Sequence, residues 1–143
     1  MGRSGATLPD LATAFLVVGV IAAMGMPVAR SWADRTALTW AREEAVALFA
    51  QARREAVAHG GAILRFDGSQ GTGALVLDGQ VMRQVDFREG FGVEVDPGGS
   101  DGRAELQFDH LGLGQVASRT IRFQRGGEVR ELLVSSYGRV RRR

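Results

Sequence analysis

The chain has 143 residues, no cysteine, two histidines and a formal net charge of +2. This length leaves room for one globular domain beside an apolar N-terminal segment, and the absence of cysteine excludes disulfides and thiolate metal sites. The charge is uneven, because residues 119–143 carry eight Arg and two Glu while the rest of the chain is acidic. A basic terminal segment is typical either of a solvated tail or of a surface that binds a polyanion.

The first predicted element is an apolar helix. Residues 11–29 contain no charged side chain, and about 20 apolar residues are enough to cross a bilayer. A transmembrane helix is therefore predicted here. A secretory signal peptide, which also begins with a basic residue such as Arg3, and a buried core helix are the alternatives. The acidic Asp10 before the apolar run, the length of the run and the lack of a cleavage site after it argue against a signal peptide.

A recognisable motif precedes this helix. A short basic segment, residues 1–5, is followed by the letters ATLPD and then by the apolar run. This pattern resembles the class III leader peptide of type IV pilins and type II secretion pseudopilins. Ala6 and Asp10 stand where members of that class usually have Phe and Glu.

The resemblance implies that prepilin peptidase cuts the chain between Gly5 and Ala6, and that the new amino group of Ala6 is methylated. It also implies that Asp10 pairs with the N-terminal amine of a neighbouring subunit, with Thr7 and Leu8 in the same assembly motif. Two opposite charges that enter an apolar bundle together cost less free energy than either charge alone.

The helix is predicted to continue beyond the apolar run, over residues 6–60 in all. Residues 33–58 are amphipathic, with small and apolar side chains at helical spacing on one face. These side chains are Leu38, Ala41, Ala45, Leu48, Phe49, Ala52 and Ala56. The pattern ends at the sequence HGG, and glycine is common directly after a helix C-terminus.

Residues 61–143 are predicted to form an antiparallel β domain. Seven short segments rich in β-branched and aromatic residues alternate with turn sequences. They read AILRFD, GALVLD, QVMRQVDF, FGVEV, AELQFD, RTIRFQ and EVRELLVS. The predicted fold class is therefore α+β: a long membrane-spanning N-terminal helix followed by an antiparallel β-sheet or sandwich.

Two turns predict the register of the strands beside them. The dipeptide Asp78-Gly79 favours a type I′ hairpin in which Val76 pairs with Val81. The dipeptide at 126–127, Gly-Gly, defines a second hairpin in the same way.

In that second hairpin, Arg125 is placed opposite Glu128, and Arg122 is placed opposite Glu131. Opposite charges directly across two strands attract each other. Both Arg residues are therefore expected to be neutralised by the glutamates of the neighbouring strand.

Nearly the whole chain resembles the GspH/FimT family of minor pseudopilins. The resemblance rests on the leader, the helical segment AREEAVALFAQARREAVAHGGAI and the chain end LLVSSYGRVRRR. It implies a pilin-like fold and a single-pass inner-membrane protein with its C-terminal domain in the periplasm. The expected partners are other pilins or pseudopilins, prepilin peptidase and the inner membrane. The filament would be either a type II secretion pseudopilus or a type IV pilus.

In the FimT branch, a C-terminal Gly-Arg-x-Arg segment is implicated in DNA binding during DNA uptake. Here Gly138, Arg139 and Arg141 match that segment, and Arg142 and Arg143 add charge. Guanidinium groups bind backbone phosphates and release counterions, so binding of double-stranded DNA without sequence preference is the implied function. The alternative is that Gly138 turns the last strand and the Arg residues form a solvated tail.

The remaining motifs are predicted to be structural. The glycine-rich stretch 68–73 lacks the Lys-Ser/Thr and the strand-to-helix context of a phosphate-binding loop. The acidic stretch 96–101 fits a turn better than a calcium site. The two histidines, His59 and His110, have no cysteine partner, and no acid, base and nucleophile converge. We therefore expect no enzyme, no metal and no cofactor. A membrane-anchored β domain that forms no filament is the remaining rival.

Overall fold

The computed structural model of the chain describes residues 8–99, 101–115 and 118–143, and for residues 24–27 it describes the backbone alone. In this part of the chain a long helix is followed by antiparallel strands and a short second helix. The elements are α1 (Leu8–His59), β1 (Gly61–Asp67), β2 (Thr72–Leu77), β3 (Gln80–Asp86), α2 (Phe87–Phe91), β4 (Glu94–Asp96), β5 (Arg103–Asp109), β6 (Arg119–Arg125), β7 (Glu128–Val134) and β8 (Val140–Arg142). The predicted α+β class is confirmed.

The chain divides into two compact units between Ala33 and Asp34. In the first unit the helix is long and apolar enough to cross a membrane, and none of its most apolar 18-residue window is buried. Its large exposed apolar side chains include Leu11, Phe15, Leu16, Val17, Val18, Val20 and Ile21. An exposed helix that is apolar on all sides is typical of a membrane span or of a helix that packs against other chains.

In the second unit, α1 buries the face that its sequence pattern predicts. The seven predicted residues, Leu38, Ala41, Ala45, Leu48, Phe49, Ala52 and Ala56, are all buried. The helix ends at His59, and Gly60 follows with a φ of +86°. Residues with a side chain rarely adopt such a φ, which is why glycine stands directly after the helix.

Two four-stranded antiparallel sheets complete the second unit. The first sheet has the strand order β3-β2-β1-β5, and the second has the order β4-β6-β7-β8. Buried residues alternate with more exposed ones along β1, β5 and β6, as Leu64 and Arg65 do in β1. The inward side chains of both sheets and the buried face of α1 belong to one hydrophobic core.

Five phenylalanines connect α1 to both sheets. Phe49 of α1 stacks on Phe66 of β1 with 5.8 Å between ring centroids, and it meets Phe108 of β5 edge to face at 6.3 Å. Phe87 of α2 stacks on Phe66 at 6.3 Å and meets Phe123 of β6 at 5.5 Å. Aromatic pairs at such separations contribute about 0.5–1.5 kcal/mol each beyond the burial of their area.

The β2–β3 hairpin has the predicted turn and register. Val76 pairs with Val81, and Asp78 and Gly79 have φ angles of +48° and +79°. Positive φ at both central residues is characteristic of a type I′ turn. This turn is therefore determined by its own dipeptide.

The β6–β7 hairpin also has the predicted register, with Arg125 opposite Glu128 and Arg122 opposite Glu131. Arg122 Nε donates to Glu131 Oε1 at 3.2 Å, so this neutralisation is confirmed. The prediction that Arg125 pairs with Glu128 is wrong, because each of the two side chains binds a residue of α1 instead.

Arg125 Nε donates to Asp34 Oδ1 at 2.8 Å, and Glu128 Oε1 lies 2.8 Å from Arg35 Nη2. Asp34 reaches the hairpin because Gly126 has no side chain; a Cβ at this position would overlap the Asp34 carboxylate. The β6–β7 turn, which is recognised in the sequence by its Gly-Gly dipeptide, therefore also contacts α1.

Two elements differ from the prediction. Phe87 begins helix α2 instead of ending a strand, because the Asp86 side chain accepts a hydrogen bond from Glu89 N at 2.8 Å and Gly92 closes the helix with a φ of +62°. The basic C-terminal segment contains β8, which pairs with β7. Both elements are too short to produce a hydrophobic repeat in the sequence.

Phe49 is expected to contribute strongly to the stability of residues 34–143. Phe49→Ala should lower the free energy of unfolding by about 3–5 kcal/mol, because it leaves a cavity between α1 and β1. Val57→Ala is the control: Val57 is 60% exposed, so its truncation should cost less than about 0.5 kcal/mol.

Urea unfolding of residues 34–143, followed by circular dichroism, measures both variants. This unit contains every core side chain that the structure reports as buried. Similar losses for the two variants would contradict the role assigned to Phe49.

Candidate functional site

The predicted C-terminal site begins at a tight turn between β7 and β8. Gly138 N donates to Ser135 O at 2.8 Å, and Ser135 N donates to Arg139 O at 2.8 Å. The Ser135 hydroxyl accepts a further bond from Arg139 N at 3.1 Å. These bonds reverse the chain and start the pairing of β8 with β7.

Gly138 has a structural role in this turn. It is buried with a φ of +72°, and a Cβ there would lie 2.9 Å from Cε1 of Phe108 and 3.2 Å from Gly114 N. Gly114 N also donates to Tyr137 O at 3.3 Å. The glycine of the predicted motif therefore allows close packing against β5 and the segment after it.

The register of β8 divides the Arg residues between two faces. Leu133 pairs with Arg141, and Arg143 exchanges two backbone hydrogen bonds with Glu131, at 3.0 and 3.2 Å. Because side chains alternate along a strand, Arg139, Arg141 and Arg143 lie on one face. We call these three residues the Arg face. Val140 and Arg142 lie on the opposite face of the same strand.

Arg142 binds α1. Its Nε and Nη2 donate to the two carboxylate oxygens of Glu43, each at 2.8 Å. Such a bidentate pair holds both groups in a fixed geometry. The hydrogen bond from Arg142 lowers the pKa of Glu43 below its usual value, and the same bond raises the pKa of Arg142.

Two further Arg residues of α1 hold the C-terminal backbone. Arg42 Nη1 donates to Arg143 O at 3.4 Å, and Arg53 Nη2 donates to Tyr137 O at 3.3 Å. Together with the Glu43–Arg142 pair, these bonds fix both ends of β8 against the helix. The C-terminal segment is thus an ordered strand.

The Arg face remains open. All three of its residues are exposed, and their guanidinium groups have no hydrogen bond or ion pair to any other residue within the described ranges. Beside them lies a groove of about 470 Å³, whose lining includes Leu133, Tyr137, Arg139 and Arg141. Three unpaired cations and an open groove can bind a polyanion through its phosphates.

The other predicted site residues lie in the first unit or outside the described ranges. Gly5, Ala6 and Thr7 precede the first described residue. Leu8 and Asp10 lie in the first turn of α1, and both are exposed. The structure thus brings together the C-terminal residues of the prediction.

The separate role of Arg142 and the contribution of α1 were not predicted from the sequence. The partner, Glu43, lies 99 positions away, so no local pattern indicates the pair. The Arg residues at 139, 141 and 143 do alternate, and that spacing is the signal of a strand with one basic face.

The glycine-rich stretch forms the turn between β1 and β2 and the start of β2. Residues 68–71 form the β1–β2 turn, in which Asp67 Oδ1 accepts hydrogen bonds from Ser69 N at 2.9 Å and Gln70 N at 3.2 Å. With the Ser69 hydroxyl as the main donor, these bonds lower the pKa of Asp67 to about 2. Among the described residues, no group of three or more His, Asp and Glu could hold a metal ion.

Comparison with solved structures identifies the fold. The chain is similar to the crystal structure of the type IV minor pilin FimU of Pseudomonas aeruginosa strain PAO1, with a TM-score of 0.57 and 24% sequence identity. The similarity covers 74% of this chain and 92% of the FimU chain. No protein-family model and no curated protein sequence matches. The chain has a type IV pilin-like fold, as the sequence predicts; membership of the GspH/FimT family stays a prediction.

Gly138→Ala is expected to destabilise residues 34–143 more than Gly79→Ala does. Both glycines have a positive φ, so alanine is strained at either position by about 1–2 kcal/mol. Only at Gly138 does the added methyl group also meet Phe108 and Gly114, whereas nothing lies within 4 Å at Gly79. Urea unfolding of the two variants measures the difference, and equal losses would show that the packing of Gly138 contributes nothing.

Arg142→Gln is expected to raise the pKa of Glu43 towards 4.5, its usual value. Because the folded-state pKa is lowered, the pair stabilises the fold above the unfolded-state pKa and loses this effect as the pH falls through the folded-state value. The stability difference between the wild type and Arg142→Gln should therefore shrink below about pH 4.

Carboxyl titration by NMR measures the pKa of Glu43 in each protein. The matched control is Arg65→Gln, which removes the hydrogen bond to Glu105 at 2.9 Å and should raise the pKa of Glu105 alone. A Glu43 pKa that is the same in the wild type and in Arg142→Gln would exclude this pair in solution.

Proposed function

We propose that this chain is a minor subunit of a type IV pilus or of a type II secretion pseudopilus, of the GspH/FimT type. Two observations together carry the proposal: the pilin-like fold, and the helix whose most apolar 18-residue segment has no buried residue. Such a helix requires lipid or other apolar helices around it. A filament subunit meets lipid before assembly and neighbouring helices after it. FimU, which is similar in fold, is itself described as a type IV minor pilin.

On this proposal, prepilin peptidase cleaves between Gly5 and Ala6, and the amino group of Ala6 is then methylated. Residues 11–29 hold the protein in the inner membrane, with residues 61–143 in the periplasm. Asp10 pairs with the N-terminal amine of a neighbouring subunit during assembly. Its place in the first turn of α1 supports this role, since the helix dipole favours a carboxylate there.

Asp10→Ala is expected to leave leader cleavage intact but to prevent incorporation into filaments, because the neighbouring amine loses its counter-charge. Asp10→Glu retains the carboxylate and is the matched control, which should be incorporated. Mass spectrometry of the N-terminus measures cleavage and methylation, and immunoblots of sheared filaments measure incorporation.

Two results would count against the proposal at different levels. A mature protein that begins at Met1 in cells with active prepilin peptidase contradicts the pilin function as a whole. Normal incorporation of Asp10→Ala contradicts the charge pairing alone.

A second candidate function is DNA binding without sequence preference through the Arg face. It is favoured by the three exposed guanidinium groups of Arg139, Arg141 and Arg143, which the described structure leaves unpaired on one side of β8. Guanidinium groups bind phosphates in a bidentate manner, and each phosphate neutralised releases condensed counterions. This function would place the subunit in a DNA-uptake pilus. Without it, the structural role in a secretion pseudopilus is favoured.

The test compares variants of the two faces of β8 in the full-length protein, purified in a nonionic detergent. Replacing Arg139, Arg141 and Arg143 by Gln should strongly weaken duplex DNA binding and reduce the magnitude of the log Kd against log salt slope by about 3. Arg142→Gln removes a charge of the same type on the opposite face and should change the slope by less than about 1.

Fluorescence anisotropy with a labelled duplex across a salt series gives both quantities. Equal losses per Arg removed, in the triple variant and in Arg142→Gln, would show that general charge governs binding. Absence of binding by the wild type at low salt would exclude the DNA function and leave the secretion pseudopilin.

A further inference from the structure

The groove beside the Arg face contains apolar surface that phosphate binding does not use. Its lining includes Leu133 and Tyr137, together with the hydroxyl-bearing Ser118, Thr120 and Ser135. Leu133 lies directly opposite Arg141 in the β7–β8 register. The groove therefore combines an apolar strip, hydrogen-bonding groups and two guanidinium groups of the Arg face.

Tyr137 presents its ring from a fixed backbone. Its carbonyl accepts hydrogen bonds from Gly114 N and from Arg53 Nη2, each at 3.3 Å. The next residue, Gly138, is buried in its left-handed conformation. The Tyr137 side chain is nevertheless 69% exposed, so the ring does not serve as core packing.

The charges around the groove specify an anionic ligand. Arg139 and Arg141 line it with exposed guanidinium groups. Arg119 also lines it, but its Nη1 is held by Gly98 O at 3.0 Å and Arg103 O at 3.3 Å. The ligand that fits such a surface has a phosphate beside a flat apolar group.

Double-stranded DNA offers phosphates but hides the faces of its bases, whereas single-stranded DNA offers both. We propose that the groove binds an unstacked base of single-stranded DNA, with Tyr137 as the stacking platform and Arg139 and Arg141 on the flanking phosphates. This inference rests on the proposed DNA function of the Arg face. It adds a preference for strand ends and single-stranded regions over intact duplex.

The experiment uses the full-length protein in nonionic detergent with three probes of equal length. They are a single-stranded thymidine oligonucleotide, the same strand with abasic sites at its central positions, and a blunt duplex. The abasic strand has the same phosphates but lacks the bases that would stack. The variants are Tyr137→Ala and Tyr137→Phe, which respectively remove and retain the aromatic ring.

The wild type should bind the thymidine strand about 5-fold to 150-fold more tightly than the abasic strand, which corresponds to about 1–3 kcal/mol for one stacked base. Tyr137→Ala should abolish this ratio and leave duplex binding unchanged, while Tyr137→Phe should preserve the ratio. Far-UV circular dichroism verifies that each variant is folded.

Equal binding of the thymidine and abasic strands by the wild type would overturn the inference, as would an unchanged ratio in Tyr137→Ala. If the wild type binds the thymidine and abasic strands equally while its duplex binding still depends on the Arg face, only the groove assignment fails. If the wild type binds none of the probes at low salt, the DNA function itself fails and the groove assignment fails with it.

Discussion

Seven side chains of α1 between Leu38 and Ala56 are buried against both sheets, and this burial determines where the remaining parts of the domain lie. Four of them are Ala, so strands can approach the helix closely, and Phe49 packs against Phe66 of β1 and Phe108 of β5. A large apolar core formed in this way fixes the helix surface that remains outside it. Polar groups of that surface, such as Asp34 and Glu43, then lie within reach of the β6–β7 hairpin and of β8.

Side chains alternate along β8, so the Arg residues of the chain end fall into two groups with different contacts. Arg142 is satisfied by Glu43 and helps to hold the strand, whereas Arg139, Arg141 and Arg143 lie on the opposite face. The number of Arg residues in the chain end therefore overstates the charge that a ligand can contact. It is the register with β7, set by the Gly138 turn, that decides which guanidinium groups are available.

Features that depend on residues close together in the sequence could be predicted. The type I′ turn at Asp78 and Gly79 and the buried face of α1 depend only on local φ preferences and helical spacing, and both predictions are confirmed. Partners distant in sequence could not be predicted: Arg125 pairs with Asp34 across 91 positions, and β8 has only three residues and no hydrophobic repeat. The candidate site combines the two kinds of feature, since its Arg residues are local and the helix that orients them is distant.

Salt explains why the apolar groove would matter to a subunit that holds DNA through the Arg face. Binding that is driven by counterion release weakens steeply as the ionic strength rises. Three phosphate contacts alone therefore give little affinity at physiological salt. In the proposed complex, stacking on Tyr137 would not depend on counterion release, and its contribution would persist where the electrostatic contribution has declined. In such a complex the Arg face would attract the polyanion and the groove would retain it.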